Sequence, residues 1–318
     1  MTKILRRYHL KINNSITHYL HMYFKGVLPF IMKTTKTISD KDRFHGSVFA
    51  LTGAASGIGR ALAFELASAG CHLALCDKDP ANLNAVRLEV VEEFPYCDIT
   101  THVLDVSDEH DVELWAHDCK AHFGEINGLI NNAGVSLSAS VESVDLKDFH
   151  WLMNINFWGV VHCTKAFLTL IKSASWGHIV NVSSLFGLIG TPNSAAYNAS
   201  KFAVRGFSDS LSMELQISAP HVCVTCVHPG GVKTSIVDNG REGSQRVGSA
   251  ASMTLEQRRA RFNDKLARTS AQEAAATIMQ AIIRKRTRIL VGTDAKLLDK
   301  LQRYAPSKYQ TLIVRLLG

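Results

Sequence analysis

Along the chain, short runs that are apolar throughout alternate with longer segments whose apolar residues recur at helical spacing. Residues 47–51, 72–76, 99–104, 128–131, 178–182, 222–227 and 288–291 are predicted as strands. Residues 57–69, 81–94, 108–123, 148–173, 195–218 and 271–284 are predicted as helices, with one or two short helices to finish the chain. In the first helix, for example, Ile58, Leu62 and Leu66 fall on one face. Strands with no polar face, each followed by a helix, imply burial on both sides. The expected fold is α/β: a single doubly wound parallel sheet with helices on both faces.

Composition changes this picture at one end. The chain has 318 residues, 46% hydrophobic and 20% charged, enough for one large core. Net charge is +7, but residues 1–39 hold seven Lys or Arg and no acid, and from Asp40 onward the two signs balance. A neutral body argues against nucleic acid as a partner. The pattern breaks near residues 41–45, separating a basic extension, 1–45, from a body, 46–318. Within the extension Ile12, Ile16, Tyr19, Tyr23 and Val27 recur at helical spacing, opposite Thr17, His18, His21 and Lys25, and Pro29 would end that helix. Three readings stay open: peripheral contact of residues 1–30 with an anionic membrane, a mitochondrial leader, or translation starting at Met32.

No run reaches the ~18 apolar residues of a membrane span. The expected location is the cytoplasm, with any membrane contact made through the extension. Seven scattered cysteines, mostly within apolar runs, read as buried thiols of a reducing compartment. Cys223 and Cys226 have the spacing of a redox pair, but residues three apart on a strand point to opposite faces. The histidines form no ligand-spaced cluster, so no metal is expected.

Candidate chemistry starts where the first strand stops at Thr52 and Gly53-Ala-Ala-Ser56-Gly57-Ile58-Gly59 leads into the first helix. Glycines there let the backbone turn tightly, approach a pyrophosphate, and pack helix on strand, while the helix N–H groups face the phosphates. The Gly-x-x-x-Gly-x-Gly spacing, with Asn131-Asn132-Ala-Gly134 after the fourth strand, resembles the short-chain dehydrogenase/reductase family. The resemblance covers about residues 46–292 and implies a Rossmann-like domain that binds a nicotinamide dinucleotide. At the family position that selects the cofactor stands Asp77, whose carboxylate suits a ribose diol and repels a 2′-phosphate. Ser56 is not the basic residue of phosphate-preferring relatives, whereas Lys78 leaves NADP open; NAD is expected. Asp105 and Val106 match the position beside the adenine. Asn131 matches the residue that abuts the nucleotide and ties the central strands, and Asn132 reads as a buried structural amide.

Tyr197 and Lys201 are four residues apart, one helical turn, so both face the same way. A phenol with a pKa near ~10 is a poor base at neutral pH; a neighbouring ammonium and an oxidised nicotinamide both favour its phenolate. Ser184 lies 13 residues before Tyr197, the family's spacing, and would hold the substrate oxygen. Ser183 is its neighbouring alternative. Asn156 matches the family's helix asparagine that supports a water chain to the lysine, with Asn154 a nearby competitor. Pro229, Gly230, Val232 and Thr234 match the family's turn beside the nicotinamide, with Val232 toward the carboxamide and Thr234 toward the phosphates. His228 reads as structural.

Residues 233–270 correspond to the family's variable substrate lid. Its Arg241, Arg246, Arg258, Arg259, Arg261, Lys265 and Arg268 suggest either an acidic or phosphate-bearing substrate or a solvated helix face. Leu185, Phe186, Leu188 and Ile189 would instead line a site for an apolar alcohol or ketone. The expected activity is hydride transfer between a nicotinamide cofactor and such a substrate. An epimerase-like enzyme or a non-catalytic nicotinamide sensor on the same fold remains an alternative. Relatives assemble through the two long helices, which implies a homodimer or homotetramer.

Overall fold

The computed structural model describes residues 43–317, so every expectation about the basic extension up to residue 42 lies outside the described residues. The first half runs β1 (Val48–Thr52), α1 (Gly57–Ser68), β2 (His72–Asp77), α2 (Pro80–Glu93), β3 (Ile99–Val103), α3 (Glu109–Phe123) and β4 (Gly128–Asn131). A short strand β5 (Leu137–Ser138) precedes α4 (Leu146–Met153), a π-helical turn at Asn154–Trp158, and α5 (Gly159–Ser173). Then come β6 (Gly177–Val182), α6 (Ala195–Ser218), β7 (Val222–Pro229), β8 (Arg241–Glu242) and α7 (Leu255–Arg261). The chain finishes with α8 (Ala271–Ile283), β9 (Arg288–Val291), α9 (Thr293–Tyr304) and α10 (Lys308–Leu317).

Seven strands form one sheet in the order β3-β2-β1-β4-β6-β7-β9, with every neighbouring pair parallel. The central strands have the two-sided burial the pattern implies, every residue of β1, β4 and β6 being buried, whereas the edge strands β3 and β9 are mostly half-buried because each has a neighbour on one side only. One face is covered by α1 and α8 through Leu62, Leu66, Ile278 and Ile282, the other by Trp115, Phe167, Leu211 and Leu215. Full burial of each such side chain contributes about 1.5–3 kcal/mol. The strand order reverses between β1 and β4, which opens a crevice at the carboxyl ends of those strands.

Two departures from the predicted elements matter for the site. The single helix predicted over 148–173 is broken by the π turn, which accommodates one extra residue and rotates α5 relative to α4. Gly159, just after it, lies so close to Val106 that a Cβ would stand 2.6 Å from the valine methyl. The polar stretch after β7 is also more ordered than its composition suggests, because β8 pairs in parallel with β5. Among the described residues no helix is long and apolar enough to cross a membrane.

Candidate active site

The glycine-rich turn is built by exclusion of side chains. Gly53 and Gly57 have φ of +65° and +53°, values that favour glycine. A Cβ on Gly59 would lie 1.9 Å from the Gly53 carbonyl oxygen, so α1 approaches the turn only without one. Asn132 Nδ2 donates to the carbonyl oxygens of Thr52 and Gly53 at 3.1 and 3.0 Å. Thr52 Oγ1 accepts from the N–H groups of Asn132 and Ala133 at 2.9 and 3.0 Å. From the end of β2, Asp77 accepts from the N–H of Ala55 at 2.9 Å and of Asp79 at 3.1 Å. The carboxylate expected to select the cofactor therefore also holds the turn in shape.

The start of α1 differs from its neighbours. Asp79 and Asp108 cap α2 and α3 with their side chains. Ser56, at the start of α1, makes no side-chain cap bond, and the first turn of that helix, which opens with Gly57, Ile58 and Gly59, has no acid. A helix terminus in that state keeps its partial positive charge for an external anion. Thr234 closes over the same place, since a Cβ on Gly57 would stand 2.9 Å from its methyl. These features fit the diphosphate of a dinucleotide.

Asn131, at the end of β4, is 2% exposed, and its Nδ2 donates to Asn181 at 2.8 Å and Thr164 at 3.2 Å, joining β4 to β6 and α5. Asp105 is exposed and accepts from the Ser107 N–H and hydroxyl, turning the chain into α3. Val106 is buried against Gly159. Pro229 ends β7, and Val232 is buried and bridges to Thr269. Between them, the Gly231 N–H donates to Asp294 at 2.8 Å, and a Cβ on Gly230 would lie 2.2 Å from that carboxylate.

Tyr197, Lys201, Ser184 and Asn156 come together from α6, the end of β6 and the π turn. Lys201 is 3% exposed, donates from Nζ to the Val182 carbonyl at 3.0 Å, and sits 5.7 Å from the centre of the Tyr197 ring. Burial lowers its pKa to about 8. Burial raises the Tyr197 phenol to about 12, opposed by a hydrogen bond with the Ser184 side chain. Ser183 instead donates its hydroxyl to the Lys201 carbonyl at 2.8 Å, so Ser184 is the serine that meets Tyr197. Asn156 is fully buried, accepts from the Val135 N–H at 2.8 Å, and donates to the Val135 carbonyl and Ser200 hydroxyl. A Cβ on Gly134 would stand 3.2 Å from Asn156 Oδ1 and 3.5 Å from Lys201 Nζ, which puts this glycine between the two. Asn154 is exposed.

The apolar lining expected after Ser184 is corrected. Leu185, Leu188 and Ile189 are buried against Ala295, Tyr309 and Ile313 of the terminal helices. Of the four, Phe186 meets the site, packing edge-on against the Tyr197 ring at 5.8 Å. Most arginines of residues 233–270 are also engaged internally. Arg241 pairs with Asp148 at 2.7 Å and lies over Trp151, Arg246 and Arg258 share Glu242, and Arg259 pairs with Asp238.

Sequence reasoning missed three residues that shape the site. Asp294 fits against the Gly230–Gly231 turn. The Tyr309 hydroxyl accepts from the Gly190 N–H at 3.1 Å. Asn193, at φ 61°, exchanges both side-chain hydrogen bonds with the backbone of Val247 and so fastens the segment after β7. The Pro192-Asn193 pair was a turn signal available in the sequence; the other two had none. Among the described residues no cluster of His, Cys, Asp or Glu is placed to hold a metal ion.

A family profile described as short chain dehydrogenase matches residues 47–245. An oxidoreductase of Mycobacterium tuberculosis, SadH, is 41% identical over 272 residues, covering 85% of this chain and 95% of its own. A Drosophila melanogaster protein named dehydrogenase/reductase SDR family protein 7-like is 32% identical over 85% of this chain and 80% of its own. Among solved structures, a Burkholderia phymatum short chain dehydrogenase/reductase in complex with NAD superposes with a TM-score of 0.76 at 26% identity, covering 84% of this chain and 96% of that one.

Proposed function

This chain belongs to the short-chain dehydrogenase/reductase family, and from that premise we propose that it transfers hydride between NAD and an alcohol or ketone. The observation that carries the reading is the meeting of a buried lysine, a tyrosine and a serine hydroxyl at the carboxyl end of the sheet. A nicotinamide dinucleotide, when bound, supplies the hydride acceptor or donor. Gly53, Gly57, Gly59 and the open start of α1 would hold its diphosphate, and Asp77 its adenosine ribose. Charge repulsion by Asp77 favours NAD over NADP.

The chain's own residues handle the proton. Ser184 Oγ orients the substrate oxygen toward the Tyr197 hydroxyl. In reduction the phenol, protonated at rest because burial raises its pKa to about 12, donates its proton to the developing alkoxide. In oxidation the alcohol proton passes to Tyr197 as phenolate, which the Lys201 ammonium stabilises. Asn156 holds the Gly134–Val135 backbone beside Lys201 and so fixes the far wall of the site.

A panel of alcohols and carbonyls, scored by change in nicotinamide absorbance with NAD(H) and NADP(H), tests this reading. No turnover of any class, with dinucleotide binding retained, would favour a sensor instead. We further infer a homodimer or homotetramer through the α4–α5 segment and α6, where Trp158 of the π turn and Phe202, Met213 and Ile217 of α6 are exposed. Monomer alone in light scattering at micromolar concentration would count against it.

A further inference from the structure

The outer face of the terminal helices carries cations and large apolar side chains with no acid among them. On α9 the exposed residues are Thr293, Lys296, Leu297, Lys300, Arg303 and Tyr304, which fall on one stripe of the helix. Leu297 is 68% and Tyr304 87% exposed. The two acids of residues 293–317 are turned away from this stripe. Asp299 is buried and bonds Arg288 and Arg303, and Asp294 bonds the Gly231 N–H. Lys296, Lys300, Lys308 and Arg315 are exposed and have no ion-pair partner among the described residues.

The second helix continues the pattern. Tyr309 and Ile313 anchor α10 on the segment after Ser184. Leu312, Val314 and Arg315 point outward. The same helix touches the lid at Gly248–Ala250, next to exposed Val247. The face therefore borders the segment expected to form the substrate lid.

A solvated helix stripe ordinarily mixes both charge signs and few large apolar groups. Cations interleaved with Leu and Tyr match the composition of helices that lie in a membrane interface, where apolar groups enter the acyl boundary and cations meet anionic headgroups. A nucleic acid backbone would complement the cations but leave Leu297 and Tyr304 against hydrated phosphate. We propose that the outer face of α9 and α10 docks this protein on an anionic lipid surface, with the lid facing the bilayer. Docking of this kind needs no catalytic competence, so vesicle binding and turnover report on separate properties.

The test uses full-length protein and co-sedimentation with phosphatidylcholine vesicles, with and without phosphatidylserine. A cation near such a surface strengthens partition by about fivefold. The Lys296→Glu/Lys300→Glu/Lys308→Glu variant is therefore expected to lose at least ~10-fold of its binding to anionic vesicles. That loss shrinks as added salt screens the wild type. Leu297→Ser/Tyr304→Ser, which keeps the charge, is expected to weaken binding severalfold. Circular dichroism establishes that each variant is folded, and Lys→Gln at the same positions replaces any that is not. The basic extension is identical in all proteins, so differences between them read this face. Unchanged partition of the charge variant overturns the proposal. So does loss of self-association in light scattering with vesicle binding unaltered, which would assign the face to a second copy.

Discussion

The imidazole Nδ1 of His228 lies 2.9 Å from the carbonyl oxygen of Ser184. His228 is fully buried, and burial pushes its pKa down to about 4, so at neutral pH the ring is uncharged and donates this bond from Nδ1–H. The last strand residues before the Pro229 turn thus fix the backbone of the serine proposed to bind substrate oxygen. His228→Asn, which keeps a short donor, should retain most of kcat/KM. His228→Ala should lower it by about tenfold, the loss of one buried hydrogen bond. Steady-state kinetics on both variants checks this; equal damage from the two would leave the ring filling space.

Tyr197→Phe should abolish turnover and leave dinucleotide affinity within about threefold, because the hydroxyl moves the proton while the ring still packs. Lys201→Ala should impair both. Titration of nicotinamide binding by fluorescence beside turnover separates these effects. A Tyr197→Phe enzyme with more than about a tenth of wild-type turnover would disprove the assignment of the acid–base group.

Asp77 has two roles that its variants can separate. Asp77→Asn keeps an acceptor for the Ala55 N–H but removes the charge. It should shift specificity toward NADP by about 1–3 kcal/mol with little loss of thermal stability. Asp77→Ala should shift specificity similarly and also lower the melting temperature, since the turn loses its brace. Wild-type kinetics already favouring NADP would point to Lys78 as the selector.

Acid should destabilise the fold through two histidines buried uncharged. Burial lowers His228 to about 4 and His178 to about 3, both from an ordinary value of 6.5. Unfolded histidine binds its proton first as pH falls, so the stability that these rings carry is complete above pH 6.5 and drains away toward pH 4. With two protons taken up on unfolding, the slope is about 2–3 kcal/mol per pH unit in that window. Urea unfolding at pH 7, 6 and 5 measures it, and His178→Asn should remove about half. A flat profile to pH 5 would contradict the buried neutral state.

Legibility followed the range of the interactions. The glycine turn, the strands and the Tyr197–Lys201 pair are written in local spacing, and their positions in the fold follow that spacing closely. Leu185, Leu188 and Ile189 misled because an apolar run after a serine reads alike whether it lines a cavity or receives a helix from the far end of the chain. Asp294 was illegible for the same reason. As a first-turn acid it is an ordinary helix-start residue, and its contact with Gly231 spans 63 positions. The π turn had no local signal either, since one extra residue leaves the apolar spacing of a long helix nearly intact.

The bond between Asp294 and Gly231 also sets the order in which the protein becomes competent during synthesis. Tyr197, Lys201 and the glycine turn are all made before the turn at Gly230–Gly231 receives its carboxylate. A growing chain can thus carry every reacting group and still lack the clasp that shapes one wall of its site. Synthesis of the chain starts from the amino end, but this wall of the site is finished from the other. The turn at Gly230–Gly231 gains its final brace only when Asp294 arrives, three residues after β9 completes the sheet.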